Sequence, residues 1–371
     1  MTKHKHAMAR NYNYDRYRNH ILQDYKTNTG GEKMQAIRVQ PAPPNQQPYS
    51  PTNPAPPSCL QLETVPIPAP SQPDDLLVRV KASTVIRDAL TWPETYATER
   101  AIPGHDFAGV VDTVLQENGD FQPGDEVYGM ADAERGSTWA EYTVVKAHET
   151  ALKPSNLSWE EAAAVPLSAL TAYEALFVHA GLDWPPRTDP TTPTTTGTRI
   201  LVTGSSGAVG LNLIQLCVAT QHTVVAASRS LRNEPLLRSL GATDVVEYEP
   251  TLKNQRPGFD VIIDTVGGGV LEDCWSWINP QGGRLISVDS ASFDFVNEHR
   301  HRGLSRGKEG VHALFFIVKS NGPALRELTG LVQSGRVRPF VSEVLGLQQA
   351  QQAYERVDKV QGVGKVVLRP G

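Results

Sequence analysis

From residue 199 to residue 288, short apolar runs alternate with stretches whose apolar positions recur at helical spacing. Ile200–Val202 leads into glycines at Gly204, Gly207 and Gly210, and Leu211, Leu213, Ile214 and Leu216 follow at once. This reads as strand, tight turn and helix. Further apolar runs at Thr223–Ser228, Asp260–Thr265 and Arg284–Val288 repeat the alternation, which predicts a parallel, doubly wound α/β sheet. Before residue 157 the pattern changes to short runs broken by turn residues: Leu76–Val80, Ala108–Val114, Glu126–Tyr128 and Ala140–Val145, with a turn at Phe121–Gly124. That predicts an all-β, barrel-like unit. The run from Leu157 is helical, opened by a capping box of Ser158 and Glu161 and broken or kinked at Pro166.

Three segments stand outside both patterns. Residues 1–33 hold seven Lys/Arg against three Asp/Glu, with four tyrosines and almost no aliphatic residues. They read as disordered, without a signal-peptide core and with a poor fit to a transit peptide. A strand is expected from Met34. Pro41–Pro57 is proline-rich and Pro185–Gly197 is Pro/Thr-rich. Both read as surface insertions, because proline removes backbone donors. The 371 residues, 39% of them hydrophobic, suffice for two cores. A net charge of −5 without a basic stripe argues against nucleic acid, and no run of 18 apolar residues suggests a membrane span. Cys59, Cys217 and Cys274 are too few and scattered for a disulfide framework and suit a reducing, cytoplasmic setting.

The glycines carry the first chemistry. A Gly-rich turn lets the backbone approach a pyrophosphate, and the helix that follows offers unpaired N–H groups and a partial positive charge. A bare strand–turn–helix corner gives the same triplet, but the repeated alternation around it favours a dinucleotide site. At the end of the second run stand Ser228, Arg229 and Ser230, with Arg232 close by. A carboxylate there would hold a ribose 2′-OH, whereas a guanidinium suits a 2′-phosphate. NADPH is therefore expected over NADH; the competing reading is a solvated helix start.

In their order and spacing, Ile102–Val111, Phe121–Met130, Glu160–Leu176, Val202–Gly210, Phe259–Gly268, Gly282–Val288 and Val341–Leu368 resemble one family. It is the zinc-free, quinone oxidoreductase-like (enoyl reductase-like) branch of the medium-chain dehydrogenase/reductases. The resemblance runs from Met34 to Gly371 apart from the two insertions. It implies a GroES-like β-barrel catalytic domain begun by residues 34–160, a Rossmann NADP-binding domain at 161–324 and a return to the catalytic domain at 325–371. The active site would lie in the cleft between them. Residue by residue, it implies that the backbone at Gly204, Ser206, Gly207, Ala208, Val209 and Gly210 holds the pyrophosphate. Ser228, Arg229 and Tyr248 would meet the 2′-phosphate and its ribose, and Thr171 would lie by the nicotinamide ribose or ring. Val266, Gly267, Ser287 and Val288 would line the ribose, and Phe315, Phe316 and Ile317 would offer backbone groups to the carboxamide. Core packing competes for Val266, Val288 and Phe316, and a plain surface position for Tyr248. A homodimer is implied, joined near Leu285–Val288 and the Phe315–Val318 strand.

His105 and Asp106 fall where zinc-dependent relatives carry a ligand pair. No cysteine stands near Ile86–Asp88 or Ser168, where the partner ligands would fall. A catalytic zinc needs three protein ligands, so no metal is expected and both residues read as structural or cleft-lining. Without a Lewis acid, the easier reaction is hydride addition to an activated acceptor, an enone, enoyl or quinone. Relatives place Asn at the position of Val85 in Thr84–Asp88, so that polar group is missing here. Tyr96 is the candidate proton donor, with packing on a loop as the competing reading. A zinc-free carbonyl reductase and a non-catalytic NADPH-binding protein remain open. No nucleic-acid or membrane partner is expected.

Overall fold

The computed structural model describes residues 31–115, 119–184, 198–248, 258–359 and 362–371. The expected disorder of residues 1–33 and the Pro185–Gly197 insertion fall almost wholly outside them.

The first part of the chain is all β. β1 (Lys33–Val39) pairs antiparallel with β2 (Leu60–Pro66). β3 (Asp75–Val85), β4 (Asp106–Val114), β5 (Glu126–Met130), β6 (Tyr142–Lys146) and β7 (Thr150–Leu152) follow. β3 is the long member. It pairs with β4 along most of its length, with β6 through Asp75–Arg79 and with a strand from the chain's end through Ser83–Val85. Its burial pattern is nearly continuous rather than alternating, as expected of a strand covered on both faces. The Pro41–Pro57 insertion makes isolated turns and one bridge, Ser50–Asn53, and its last residue opens a short 3-10 turn, Pro57–Cys59.

Two helices link the units. α1 (Trp159–Ala163) opens with the expected capping box: Ser158 Oγ accepts from Glu161 N–H and Glu161 Oε2 accepts from Ser158 N–H. It stops before Pro166, which starts α2 (Pro166–Tyr173) at its first turn, where a missing N–H costs nothing. A π-helical turn, Glu174–His179, continues it. The stretch 159–179 is long and apolar enough to cross a membrane by composition alone, but 67% of its apolar window is buried inside the fold.

The second unit runs β8 (Arg199–Val202), α3 (Ala208–Ala219), β9 (Thr223–Ser228), α4 (Glu234–Ser239), β10 (Asp244–Glu247), β11 (Val261–Asp264), α5 (Gly268–Trp277), β12 (Arg284–Ser287), α6 (Phe295–His301) and β13 (His312–Phe315). Its six strands are parallel, in the order β10-β9-β8-β11-β12-β13. The order reverses between β8 and β11, where open α/β sheets form their ligand crevice. Leu285–Ser287 is bonded on both sides, to β11 and β13, so that strand has no free edge for a second chain. Only β13 offers one at this end of the sheet.

α7 (Gly322–Gln333) carries the chain back. β14 (Val341–Gly346), α8 (Ala350–Asp358) and β15 (Lys365–Arg369) complete the first unit, whose seven-stranded sheet has the order β14-β15-β3-β4-β5-β7 with β6 beside β3. This is the GroES-like unit joined to a Rossmann-like sheet. One apolar core runs through both: Ala82, Ala108 and Tyr128 share a buried cluster with Ile200, Val202 and Leu213. The Tyr128 hydroxyl, buried between β5 and α7, donates to Leu325 O at 3.0 Å.

Candidate active site

The expected dinucleotide residues meet at the carboxyl ends of β8, β9, β11 and β12. After β8, Gly204 adopts φ +61°, and a Cβ there would stand 2.2 Å from Thr265 Oγ1. At Gly210 a Cβ would stand 2.5 Å from Gly204 O, so only glycine lets the first turn of α3 press against the loop. The first helical bond runs from Leu211 N–H to Gly207 O at 2.9 Å. The N–H groups of Ala208, Val209 and Gly210 therefore have no intrahelical partner and face the crevice end of the helix.

A residue that the sequence reading passed over organises this edge. Asp264 is fully buried, and no cation is paired with it among the described residues. Its Oδ1 accepts from Thr203 Oγ1 (2.6 Å) and Val266 N–H (3.3 Å), and its Oδ2 from Gly267 N–H (3.0 Å) and Ser287 Oγ (3.0 Å). One carboxyl thus fixes the ends of β8, β11 and β12 together with Val266, Gly267 and Ser287. Burial pushes its pKa up, and the four donors only partly offset that. A fully apolar run ending in Asp was the available signal.

Two tyrosines do something other than expected. Tyr248 does not present its hydroxyl to a phosphate: it accepts from Gly204 N–H (2.7 Å) and points at Ala227 O (3.3 Å). It clamps the Gly-rich turn, and burial pushes its pKa up to about 12. Tyr96 donates its hydroxyl proton to Leu90 O and accepts from Ala55 N–H at 2.8 Å. The expected proton donor is here a clip between the proline-rich insertion and the 86–96 segment, because its single O–H is directed into the chain. Tyr96→Phe is therefore expected to lower the unfolding free energy by about 1 kcal/mol while leaving any turnover at its parent rate, a comparison of urea unfolding and steady-state kinetics.

The other expected residues fall as follows. Ser228 is buried and its Oγ donates to Ser230 O (2.6 Å). Arg229 is exposed and close enough to bias the Tyr248 hydroxyl. Gly267 has φ +72°, and a Cβ there would lie 2.1 Å from Asp289 Oδ2. Val288 N–H bonds Asp264 O (3.0 Å). Thr171 is buried in α2, with its hydroxyl on Leu167 O (2.7 Å). Phe315 ends β13 beside Ser287, the Phe316 ring lies 4.4 Å from that of His179, and Ile317 is exposed. Val85 is buried in strand pairing with Val366.

Asp106 is the second hub. It is fully buried, and its oxygens take Thr84 Oγ1 (2.6 Å), Leu167 N–H (2.7 Å) and Lys365 Nζ (2.5 Å). It joins β3, β4, α2 and β15. Three donors, one of them the Lys365 cation, already occupy most of its acceptor positions. His105 beside it is buried, with Nδ1 lacking a partner. The three cysteines are buried elsewhere, Cys59 against Tyr49, Cys217 in α3 and Cys274 in α5. Among the described residues no three His, Cys, Asp or Glu side chains converge, so this donor set does not fit a zinc centre.

Comparison with known proteins agrees with the two-unit fold. Residues 72–155 match the alcohol dehydrogenase GroES-like domain family and residues 240–368 the family described as zinc-binding dehydrogenase. A probable mitochondrial zinc-binding oxidoreductase of Arthroderma benhamiae is 36% identical over 324 residues, 85% of this chain and 94% of the relative. A mitochondrial NAD(P)H oxidoreductase of Danio rerio is 30% identical, covering 76% of this chain and 75% of the relative. A 2-methylene-furan-3-one reductase of Solanum lycopersicum is 33% identical, covering 72% and 63%. The chain is an oxidoreductase that works with a nicotinamide cofactor, and it belongs to the medium-chain dehydrogenase/reductase family, among its quinone oxidoreductase-like members.

Proposed function

We propose that this protein is an NADPH-dependent reductase that transfers hydride to a conjugated carbonyl (enone or enoyl) or a quinone, without a metal ion. The observation that carries the reading is the donor set around His105: Asp106 already takes Thr84, Leu167 and the Lys365 cation, and among the described residues no group of three His, Cys, Asp or Glu could hold a metal. An acceptor in such a site must already be activated, because nothing polarises a plain carbonyl as strongly as a metal would. The tomato relative is named for reducing an enone. A bound reduced nicotinamide supplies the hydride. The chain orients it through the Gly204–Gly210 backbone and the Asp264-held loop.

NADPH is favoured by the end of β9. Arg229 and Arg232 are exposed there, and the nearby Glu247 carboxylate accepts from Leu231 N–H (3.2 Å). We expect NADPH to bind more tightly than NADH. Arg229→Glu should weaken NADPH roughly ten-fold or more while changing NADH little, since one charge-assisted contact is lost and a like charge added. Titration of cofactor fluorescence checks this, and equal losses for both nucleotides would refute it.

The reaction is tested by anaerobic NADPH oxidation against quinones, enones and enoyl thioesters, with saturated aldehydes and ketones alongside. Turnover confined to conjugated acceptors and indifferent to chelator is the expected result. Reduction of saturated carbonyls would favour the carbonyl reductase. Tight binding with no turnover would favour the non-catalytic reading, to which the apolar, buried Val85 lends support. A homodimer formed through the free edge of β13 is part of the proposal, and a light-scattering mass of one chain would exclude it.

A further inference from the structure

We propose that Glu174, aligned with His179 by the π-helical turn between them, is a positioning residue that holds the backbone after β13 in the form that receives the nicotinamide half of the cofactor. This rests on the nucleotide reading above and needs no particular acceptor. In an α-helix, side chains five residues apart point about 140° away from each other. A turn closed by i→i+5 bonds brings such a pair back to one side. Here Ala180 N–H bonds Ala175 O at 2.8 Å, and His179 Nε2 lies 3.3 Å from Glu174 Oε1. The other carboxylate oxygen, Oε2, accepts from Lys319 N–H at 3.1 Å, 145 residues further along the chain. The His179 ring packs on that of Phe316, 4.4 Å between centroids. One π turn thus meets one segment at two points.

That segment has little else to fix it. β13 ends at Phe315, which pairs with Ser287. From Phe316 to Ser320 the chain is neither strand nor helix. Among the described residues, the bond to Glu174 is the one hydrogen bond its backbone makes. Residues 316–318 are strung between two fixed ends, and their N–H and C=O groups are left for water or a ligand. The π turn is itself held on other sides. Phe177 packs on Tyr173 at 5.2 Å and on Trp184 at 4.6 Å, and His179 O accepts from Arg284 Nη1 at 3.0 Å. Such turns are rare and gather at functional sites.

The place of the segment assigns its ligand. A dinucleotide lies across the point where the strand order reverses, with its pyrophosphate at the helix that follows the first strand. The adenosine half then lies toward β9, where Arg229 and Arg232 stand. That leaves the nicotinamide half to the ends of β11, β12 and β13, and the 316–318 backbone borders that side. Its groups are both donors and acceptors, and a primary carboxamide offers both in return. Without the Glu174 carboxylate the segment is held at one end only. It must then be ordered at the moment of binding, which costs affinity for the half of the ligand that touches it.

The test compares two nucleotides on the full chain by calorimetric titration. NADPH carries the nicotinamide, whereas 2′,5′-ADP carries only the adenosine half with its 2′-phosphate. Glu174→Ala should bind NADPH roughly ten-fold more weakly, as for one lost charge-assisted hydrogen bond, and should bind 2′,5′-ADP as the parent does. Glu174→Gln, which keeps a carbonyl oxygen for Lys319 N–H, should recover most of the loss. His179→Ala should show the same selective loss, and decides the matter if Glu174→Ala does not fold. Equal loss of both ligands would mark a merely structural role and overturn the inference. Unchanged NADPH binding, or a parent that binds 2′,5′-ADP as tightly as NADPH, overturns it too. If the parent prefers NADH, the NADPH reading fails, and NADH with 5′-AMP replaces the pair under the same criteria. The selective loss, found in a protein that reduces no conjugated acceptor, removes the reductase reading and leaves the positioning role.

Discussion

Asp106→Ala is expected to lower the unfolding free energy by about 3–5 kcal/mol, the usual cost of removing one partner of a buried ion pair. The change leaves the Lys365 ammonium, 7% exposed, without a counter-charge. It also leaves Leu167 N–H and the Thr84 hydroxyl unmatched at the start of α2 and in β3. The partners come from four elements, so the loss should be global rather than local. Lys365→Met is expected to cost less, because Asp106 keeps two neutral donors. A double replacement, Asp106→Leu with Lys365→Met, should recover part of the loss, since the desolvation of both charges disappears with them. Urea unfolding of Asp106→Leu, Lys365→Met and their combination, beside the parent, forms the cycle. If Asp106→Ala unfolds within 1 kcal/mol of the parent, by the same scale of error, the hub is not structural.

The second large effect concerns Asp264. Asp264→Ala should cost about 3 kcal/mol or more, because two hydroxyls and two backbone N–H groups lose their acceptor in a buried place. The same change frees the Val266–Gly267 loop and the end of β8, so nucleotide affinity should fall with stability. Asp264→Asn separates charge from shape. Its amide NH2 must face either Gly267 N–H or Val266 N–H, a clash of donors that should cost about 1–3 kcal/mol. The pH dependence has a definite sign. Burial raises the folded pKa of Asp264 above 3.8. Its contribution is therefore fully present below that unfolded value and is lost as pH rises through the folded pKa. Asp264→Asn removes this loss, so the variant's stability should fall less between acid and neutral pH than the parent's. Urea unfolding at stepped pH, with nucleotide titration alongside, measures both. Parallel pH profiles for parent and Asn variant would contradict the raised pKa.

Both hubs show why part of this site was legible and part was not. The Gly204–Gly210 turn declared itself because only glycine fits the 2.2 Å approach to Thr265 Oγ1 at Gly204 and the 2.5 Å approach at Gly210, and its spacing is local. Ser158 with Glu161, and Pro166 at the head of α2, were legible for the same reason: cap and break act within one turn. The gathering of Ser228, Val266, Gly267 and Ser287 followed from the alternation of strands and helices. A parallel sheet places every strand's carboxyl end on one edge.

Hydroxyl and carboxyl partners were not legible, since they depend on which atom lies across a fold. Tyr96 and Tyr248 look in the sequence like free phenols, yet each is engaged by backbone groups 6 to 44 residues away. Asp106 meets Lys365 across 259 residues, a pairing that exists only because β15 returns to lie beside β3. The sequence by itself determined the classes of element, the glycine turn and the family, because those rest on local backbone geometry and periodicity. The tertiary structure alone decided which polar groups are engaged and which are left unmatched, because burial raises the cost of every unmatched donor and only the packed chain shows who supplies the acceptor.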